Sequence, residues 1–527
     1  MAEDQSFKPR VTYGGEVELL AVNRQSGGLL PVDPIIQEIV QDGVNKRILR
    51  DEDPVIIGHD CATHLVEIGA GVHDSLTSLI ASLKAAIDIL QETLTRERNG
   101  ALLSLSYHPL ENDAAAYLHV VDRPIYELLR GRYRAQSSIH PSVLQKIYLT
   151  ASQSGRAWKH SLGALAASIQ PWNSLTVSNA SQQIAVLQAT GWLFNLLTAN
   201  SPVANGLIQE KRDYRLEIWG NSGMLSTSRY KADRDLIKNI PDRPRQLVDY
   251  YHFVLMHQRP VVIPLVEHDD IASQHYKTRF MAVVQPDDHE DFTVLDYLTA
   301  ESIRVVDIET GEEKKIVPSV GHIFNGFDFL YFPQFGSRLR IKLPLADTID
   351  ARLFANTIAE RNEDEFQKLL LQGGIHDGGF ICAEGRVAAT AIPTAHMPTW
   401  ERFCIPFVLQ TALVRRFKEV LAYMDSIPLT WYDFAYHLPS MTNNRIQGFK
   451  TVLRQVKVIT LAKDIWSIAK EGLEEDERNL VGEAIEQILE SQKAPAEEAI
   501  EFIQNRYVQS QSMNNAMLSL LYANMGK

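Results

Sequence analysis

Apolar and polar positions alternate through "VTYGGEVELLAVN" (11–23), which predicts a strand with one buried face; "PVIIGHDCATHLVEIG" (54–69) reads the same way. Between them, "SGGLLPVDPIIQEIVQDG" holds a turn and a short helix. From Asp74 to about Asn99 the apolar residues Leu76, Leu79, Ile80, Leu83, Ile87 and Leu90 fall at helical spacing, with Asp74 placed to cap the first turn. "ALLSLSYHPL" then returns as a strand ending at His108-Pro109.

Residues 163–178 form a further apolar strand in which Pro171 implies an edge or a bulge, followed by a helix over 180–199 that "NSPVANG" stops. The stretch 260–345 is strand-rich and includes the hairpin-like "RVVDIETGEEKKIVPSV". Beyond Ala346-Asp347 the pattern changes to charged-face helices over 351–371, 401–425 and 445–507. The expected fold class is α+β: a body over 1–350 with a mainly helical C-terminal region, 351–527, packed on it. No internal repeat or low-complexity tract interrupts the 527 residues.

A net charge of −13 and a pI near 5.7 argue against a general phosphate-backbone surface, so no nucleic-acid partner is expected. Cys61, Cys382 and Cys404 are far apart and form no C-x-x-C pair, which points to a reducing compartment and away from a thiolate zinc site. "MAEDQSFKPR" has no apolar secretory core, and no run approaches the roughly 18 apolar residues of a membrane span. A cytoplasmic protein without a membrane partner is the expectation.

The phosphate-binding, nucleophile-elbow and zincin motifs are absent. "GGIHDGGF" (373–380) reads as a surface loop, and "VEHDD" (266–270) as a solvated acidic turn. The acidic set near the N-terminus carries more chemistry. Glu16 and Glu18 share a face of the first strand, Glu67 interrupts the apolar run of the second, and Asp60 lies upstream of it. Oxygen-only clusters suit Mg2+ or Mn2+. The competing reading has Glu16 and Glu18 facing water from a half-exposed strand.

The stretch "ASIQPWNSLTVSNASQQIAVLQATGWLFNLLTANSPVANG" (167–206) resembles the glutamate–cysteine ligase family, in the branch shared by plant and many bacterial enzymes. Gln170 and Asn173 lie on a strand, a long helix follows, and Ala199-Asn200-Ser201-Pro202 with Gly206 closes it. "YRLEIW" then resembles the family's arginine segment, at Arg215. "GGEVEL", "THLVEIGAG", "YHPL", "VDYYHFVLMHQRPVVIP" and the terminal Gly472-Leu473 and Pro495-Ala496-Glu497 fall in the family's order, so the resemblance spans roughly 13 to 507. It implies a glutamine-synthetase-like curved antiparallel sheet forming a funnel, flanked by helices. It also implies ATP- and magnesium-dependent amide formation from a carboxylate and an amine through an acyl phosphate. Glu16, Glu18 and Glu67 would be metal ligands, Arg215 would meet the phosphates of ATP, and Gln170, Asn173 and His322 would line the substrate side.

The chain departs from that pattern in "HIFNGFDFLYFPQFGSRLRIKLPLAD" (322–347). His322, Phe332-Pro333 and Ala346-Asp347 fit, but Lys342 stands in the acid column and Pro344 in the arginine column. At 4 Å and an effective dielectric near 20 each unit-charge contact is worth about 4 kcal/mol, so a lysine in place of a carboxylate weighs against a divalent ion there. Either Lys342 stands in for an ion as part of altered catalysis, or it faces solvent and the acid comes from elsewhere, Asp328 being a candidate. Two functions follow: a divergent ligase acting on amino-acid-like substrates, or a ligase-derived pseudoenzyme that binds a ligand or a protein partner.

Overall fold

The computed structural model describes residues 11–32, 35–36, 55–112, 119, 164–220, 242–257, 260, 262–268, 276–284, 292–324 and 336–526. Asp328 and Phe332-Pro333 lie outside the described residues. An eight-stranded antiparallel sheet organises the chain. Its strands are β1 (Tyr13–Asn23), β2 (Val55–His59), β3 (Leu65–His73), β4 (Gly100–Leu103), β5 (Ser168–Ser174), β6 (Ser337–Lys342), β7 (Phe380–Gly385) and β8 (Ala388–Ala389). They run in the order β6-β7-β5-β1-β3-β2, with β4 on β1 and β8 on β5. A separate four-stranded antiparallel sheet holds Val262–His268, Tyr276–Val283, Ile303–Asp307 and Glu313–Ile316. The last two are the expected hairpin, turning at Gly311 with φ 73°. The class is α+β, as expected.

The two faces of the large sheet are set by alternation. Tyr13, Gly15, Val17 and Leu19 of β1 are buried, and Val17, Leu19, Ile68 and Ile169 join one core with Leu79, Leu83 and Phe407 of the covering helices. Those helices include α1 (Leu76–Arg98), α2 (Ala180–Ala189), α3 (Gly191–Thr198) and, after α4 (Tyr214–Gly220), α5 (Glu401–Arg415). A Cβ on Gly15 would stand 2.6 Å from the Phe407 ring, so glycine is what lets α5 lie close on β1. Ser75, not Asp74, caps α1: its side chain accepts from the Ser78 amide, and Asn99 closes the far end in a left-handed conformation.

Three other expectations are refined. The helix expected over 180–199 breaks at Thr190 into α2 and α3. Gly336 enters that break with φ 73°, where a Cβ would stand 2.8 Å from the Gly191 Cα. Pro171 is neither at an edge nor in a bulge of its own strand. It sits inside the sheet opposite Gly15, where β7 has ended and β8 has not begun, so no neighbour needs its missing N–H. The region read as helical contributes β7 and β8 to the sheet, which therefore takes strands from both sides of residue 350. "GGIHDGGF" forms turns that lead into β7.

Among the described residues no helix is long and apolar enough to cross a membrane. The three cysteines are buried and form no disulfide.

Gly336→Ala tests the α2–α3 junction. The left-handed conformation and the backbone contact together predict a loss of roughly 2–4 kcal/mol in urea unfolding. A loss below about 0.5 kcal/mol would show that the junction is not close-packed.

Candidate active site

The polar face of the sheet can be read from its register. Glu18 stands opposite Glu67, Glu16 opposite Gly69 on one side and Gln170 on the other, and Trp172 opposite both Gly14 and Glu384. Arg338 pairs with Glu384, Arg340 with Cys382 and Lys342 with Phe380. Directly opposed residues point to the same face, as do residues two apart. One face therefore carries Glu67, Glu16, Glu18, Gln170, Trp172, Glu384, Arg338, Arg340 and Lys342.

Opposed Cβ atoms on adjacent strands lie about 4.5–5.5 Å apart, so Glu18 and Glu67 repel unless something relieves them. Glu18 is partly relieved. Ser168 donates to one oxygen at 2.8 Å, and the Gln170 amide nitrogen donates to the other at 2.8 Å. Arg386 donates to the Gln170 carbonyl oxygen and, at 2.6 Å, to Glu384. Glu384 is fully buried and also takes Arg338 at 2.8 Å and Arg340. The Arg340 guanidinium stacks 4.7 Å from the Trp172 ring. A continuous polar chain thus runs from Glu18 through Gln170 and Arg386 to Glu384.

Glu16 and Glu67 are left out of that chain: among the described residues neither carboxylate has a hydrogen-bond or ion-pair partner. Burial pushes Glu67 up to about 8, helped by the negative charges of Asp60, Glu16 and Glu18. Burial with Glu384 nearby pushes Glu16 up to about 7, against the pull of Arg340 and Arg386. Burial and Asp60 raise Glu18 to about 7, against Arg386 and the Ser168 hydrogen bond. All three residues are half-buried.

This donor set suits a hard divalent cation: it is all oxygen, and it is short of positive charge at neutral pH. There is room as well. A Cβ on Gly69 or Gly58, which face Glu16 and Glu67 across the strands, would meet nothing within 4 Å among the described residues. The acids share a face without closing on one point, for no group of three or more His, Cys, Asp or Glu among the described residues is arranged to hold an ion.

The other expected residues separate. Gln170 is in the acidic network, but Asn173, three positions on, lies on the opposite face. There it donates to Thr411 and accepts from Gln410 on α5, at 3.1 and 3.0 Å. Arg215 is 1% exposed and donates to Asp213 at 3.0 Å and to the carbonyls of Ala167, Val387 and Ala388. Its guanidinium ties β8 and the start of β5 together while easing the charge on Glu18. His322 lies in the short helix Gly321–Phe324 and hydrogen-bonds Tyr297 at 2.7 Å. Lys342 is exposed at the end of β6. "VEHDD" begins within the strand Val262–His268, and its last two residues lie outside the described ones.

Glu384, Arg386 and Arg338 were not singled out in the sequence. The available signal was "FICAEGRVAA" (380–389), a short apolar run with one acid, broken by glycine, inside a region that otherwise reads as helix.

No protein-family model matches the chain, and no curated protein matches it. Among solved structures, 97% of the chain aligns with 52% of a bifunctional glutathione synthetase from Pasteurella multocida, at TM-score 0.42 and 11% identity. The chain spans about half the length of that protein. It aligns over 97% of both chains with a glutamate–cysteine ligase from Francisella tularensis in complex with AMP, at TM-score 0.28 and 11% identity. Over 98% it aligns with 73% of the ligase PafA, solved with the prokaryotic ubiquitin-like protein Pup, at TM-score 0.37 and 8% identity. Likeness this distant carries no activity or substrate across.

The raised carboxyls predict a pH dependence. Each binds its proton more tightly folded than unfolded, so its stabilising contribution is complete below about pH 4.5 and is lost as pH rises through 7 to 8. His64 and His108, pushed down by burial to about 3 and about 4, act oppositely below about pH 6.5. The informative window is therefore pH 7 to 8.5. There the melting temperature in chelator should fall, and Glu67→Gln should flatten the fall and raise the value at pH 8.5. An equal slope in wild type and variant would remove the repulsion from the account.

Proposed function

We propose that this chain is an ATP- and divalent-cation-dependent carboxylate–amine ligase, using the polar face of the large sheet. The observation that carries the reading is the juxtaposition on one face of unpartnered, charge-starved carboxyls, Glu16 and Glu67, with Arg340 and Arg386. The sequence resemblance across 13–507 supports the same chemistry.

In this reading Glu16, Glu18 and Glu67 would have to draw together to hold Mg2+ or Mn2+, an ion that would supply charge neutralisation to the phosphates of ATP. Arg340 and Arg386 take phosphate oxygens, since a guanidinium fork matches them. Arg215 keeps the strand ends in place beneath. Gln170 holds Glu18 at a fixed angle. A substrate carboxylate oxygen attacks the γ-phosphorus and ADP departs. The amine nitrogen then attacks the acyl carbon, phosphate leaves, and the nitrogen gives up a proton to solvent.

Purified protein with Mg2+, ATP and a panel of amino-acid pairs should release ADP and phosphate only when carboxylate and amine are both present. Glu16→Gln and Glu67→Gln should each lower turnover by at least about 100-fold, the scale of a lost charge-stabilising group. Gly69→Val should leave stability intact, because the site is open and valine suits a strand, while weakening Mn2+ binding. Normal turnover in both glutamine variants would remove the assignment.

One feature favours a second reading, a binding module without turnover. Glu384 is already neutralised by three arginines, and β6 ends in Lys342 rather than an acid. Calorimetry separates the two: Mg2+-dependent ATP affinity with no product on any pair of substrates selects the second.

A further inference from the structure

A cavity of about 290 Å³ lies outside the acidic face, between α6 (Pro495–Ser510), α7 (Met513–Ala523), the start of α5 and the segment after β8. Its walls are mainly apolar, with Leu105, Met397, Ala499, Phe502 and Leu520 among them. Of the polar side chains in its wall, Ser104, Asn200, Thr394 and Asn524 are already hydrogen-bonded within the fold, Thr394 accepting from the Met397 amide and Asn524 donating to the Leu520 carbonyl. Ser104 Oγ bonds both the carbonyl and the amide of Ile392, and Asn200 bonds the Ser106 amide and the Thr390 carbonyl. With those groups committed, Leu105, Met397, Phe502 and Leu520 leave an apolar surface for an apolar group.

Apart from His396, whose ring lies edge-on to Phe502 with centroids 5.9 Å apart, the ionisable side chains of the lining are Arg402 and Glu498. Arg402 and Glu498 form a two-pronged pair, Nη1 to Oε2 and Nη2 to Oε1, both at 2.6 Å, with side chains 20% and 44% exposed. That pair uses two of a guanidinium's five N–H groups and about half of a carboxylate's acceptor positions. A cationic and an anionic group with unused capacity thus stand side by side over an apolar pocket. The volume is at the lower end for ligand sites, enough for one small molecule and too little for a nucleotide cofactor.

We propose that this cavity binds a free amino acid with an apolar side chain, of the class of leucine, methionine or phenylalanine. The ligand carboxylate lies against Arg402 and its ammonium against Glu498, and the side chain enters between Phe502, Met397 and Leu520. The site shares none of these residues with the acidic face, so it stands whether or not the chain is a ligase.

Calorimetry and ligand-observed NMR on the full chain with L-leucine, L-methionine and L-phenylalanine test the proposal. Saturable low-millimolar or tighter binding that persists in Glu16→Gln is expected for at least one of the three, and none that Ala499→Trp removes for L-serine or L-glutamate. 4-Methylpentanoate and 3-methylbutylamine, each lacking one charge, should bind at least 10-fold more weakly than leucine. Ala499→Trp, which fills the pocket, and Glu498→Gln should each weaken binding at least 10-fold, whereas Glu16→Gln should leave it unchanged. Circular dichroism confirms that Ala499→Trp is folded, and Ala523→Leu replaces it if not. Absence of saturable binding, equal binding by the one-charge analogues or by serine, unaltered binding in the filled variant, or loss in Glu16→Gln would each overturn the assignment.

Discussion

Two carboxylates facing each other on adjacent strands, Glu18 and Glu67, set the problem that the neighbouring strands answer. Repulsion at that distance is tolerated only with donors, protons or a cation at hand. Donors reach Glu18 from β5, through Ser168 and Gln170, and Gln170 is in turn held by Arg386 from the β7–β8 break. Because β7 ends at Gly385 and β8 resumes at Ala388, Arg386 can turn onto the neighbouring β5 and reach Gln170. Glu67 receives no such help, and its carboxyl keeps its proton to about pH 8. The fold beneath supplies the rigidity for this: Val17, Leu19 and Ile68 are fully buried on the opposite face.

Motifs that suggested a ligase resemblance turn out to be joints of the scaffold. Ala199-Asn200-Ser201-Pro202 and Pro495-Ala496-Glu497 are about 300 residues apart in sequence yet meet in space. The Ala496 amide donates to the Ala199 carbonyl at 2.8 Å, and Glu497 forms a two-pronged pair with the buried Arg212 at 2.6 and 2.8 Å. Asn200 ties the segment after β4 to the segment after β8. His108 of the His-Pro pair is a loop anchor, bonded to the Gly27 carbonyl and accepting the Leu110 and Glu111 amides. A buried polar side chain with all its partners met restricts the alternatives open to the backbone around it.

Periodicity made β1, α1 and the 303–316 hairpin legible, because each is long enough for period two or period 3.6 to repeat, whereas the single strand expected over 54–69 is two strands, β2 and β3, paired with each other. The face shared by Glu16 and Glu18 followed from spacing alone, and the same rule separates Asn173 from Gln170, since residues three apart on a strand oppose each other. β7 was not legible: "FICAEG" is short, rich in small residues and flanked by helices, and only its long-range pairing with β5 and β6 makes it a strand. With β7 unseen, Glu384 had no neighbours and Arg386 no role. Arg215 illustrates the opposite limit. Its type suits phosphate, but burial against carbonyls is a property of the folded chain that no local pattern carries.

Charge changes sign across the sheet. Acids stand on β3 and β1, amide and hydroxyl donors on β5, an acid neutralised by arginines on β7, and Arg338, Arg340 and Lys342 on β6. At about 4.8 Å per strand, β3 and β6 are roughly 19 Å apart, so the face is a dipolar floor rather than a single point. A molecule that carries a cation-bound anionic group and a second, free anionic group would be oriented along that floor. This explains why Lys342 need not be read as a damaged metal ligand. On β6 it extends a row of cations whose inner members already balance Glu384, and a carboxylate at its place would add repulsion to the side of the sheet that the arginines neutralise. Lys342 and the arginines thus form the positive end of a surface whose negative end is Glu16, Glu18 and Glu67.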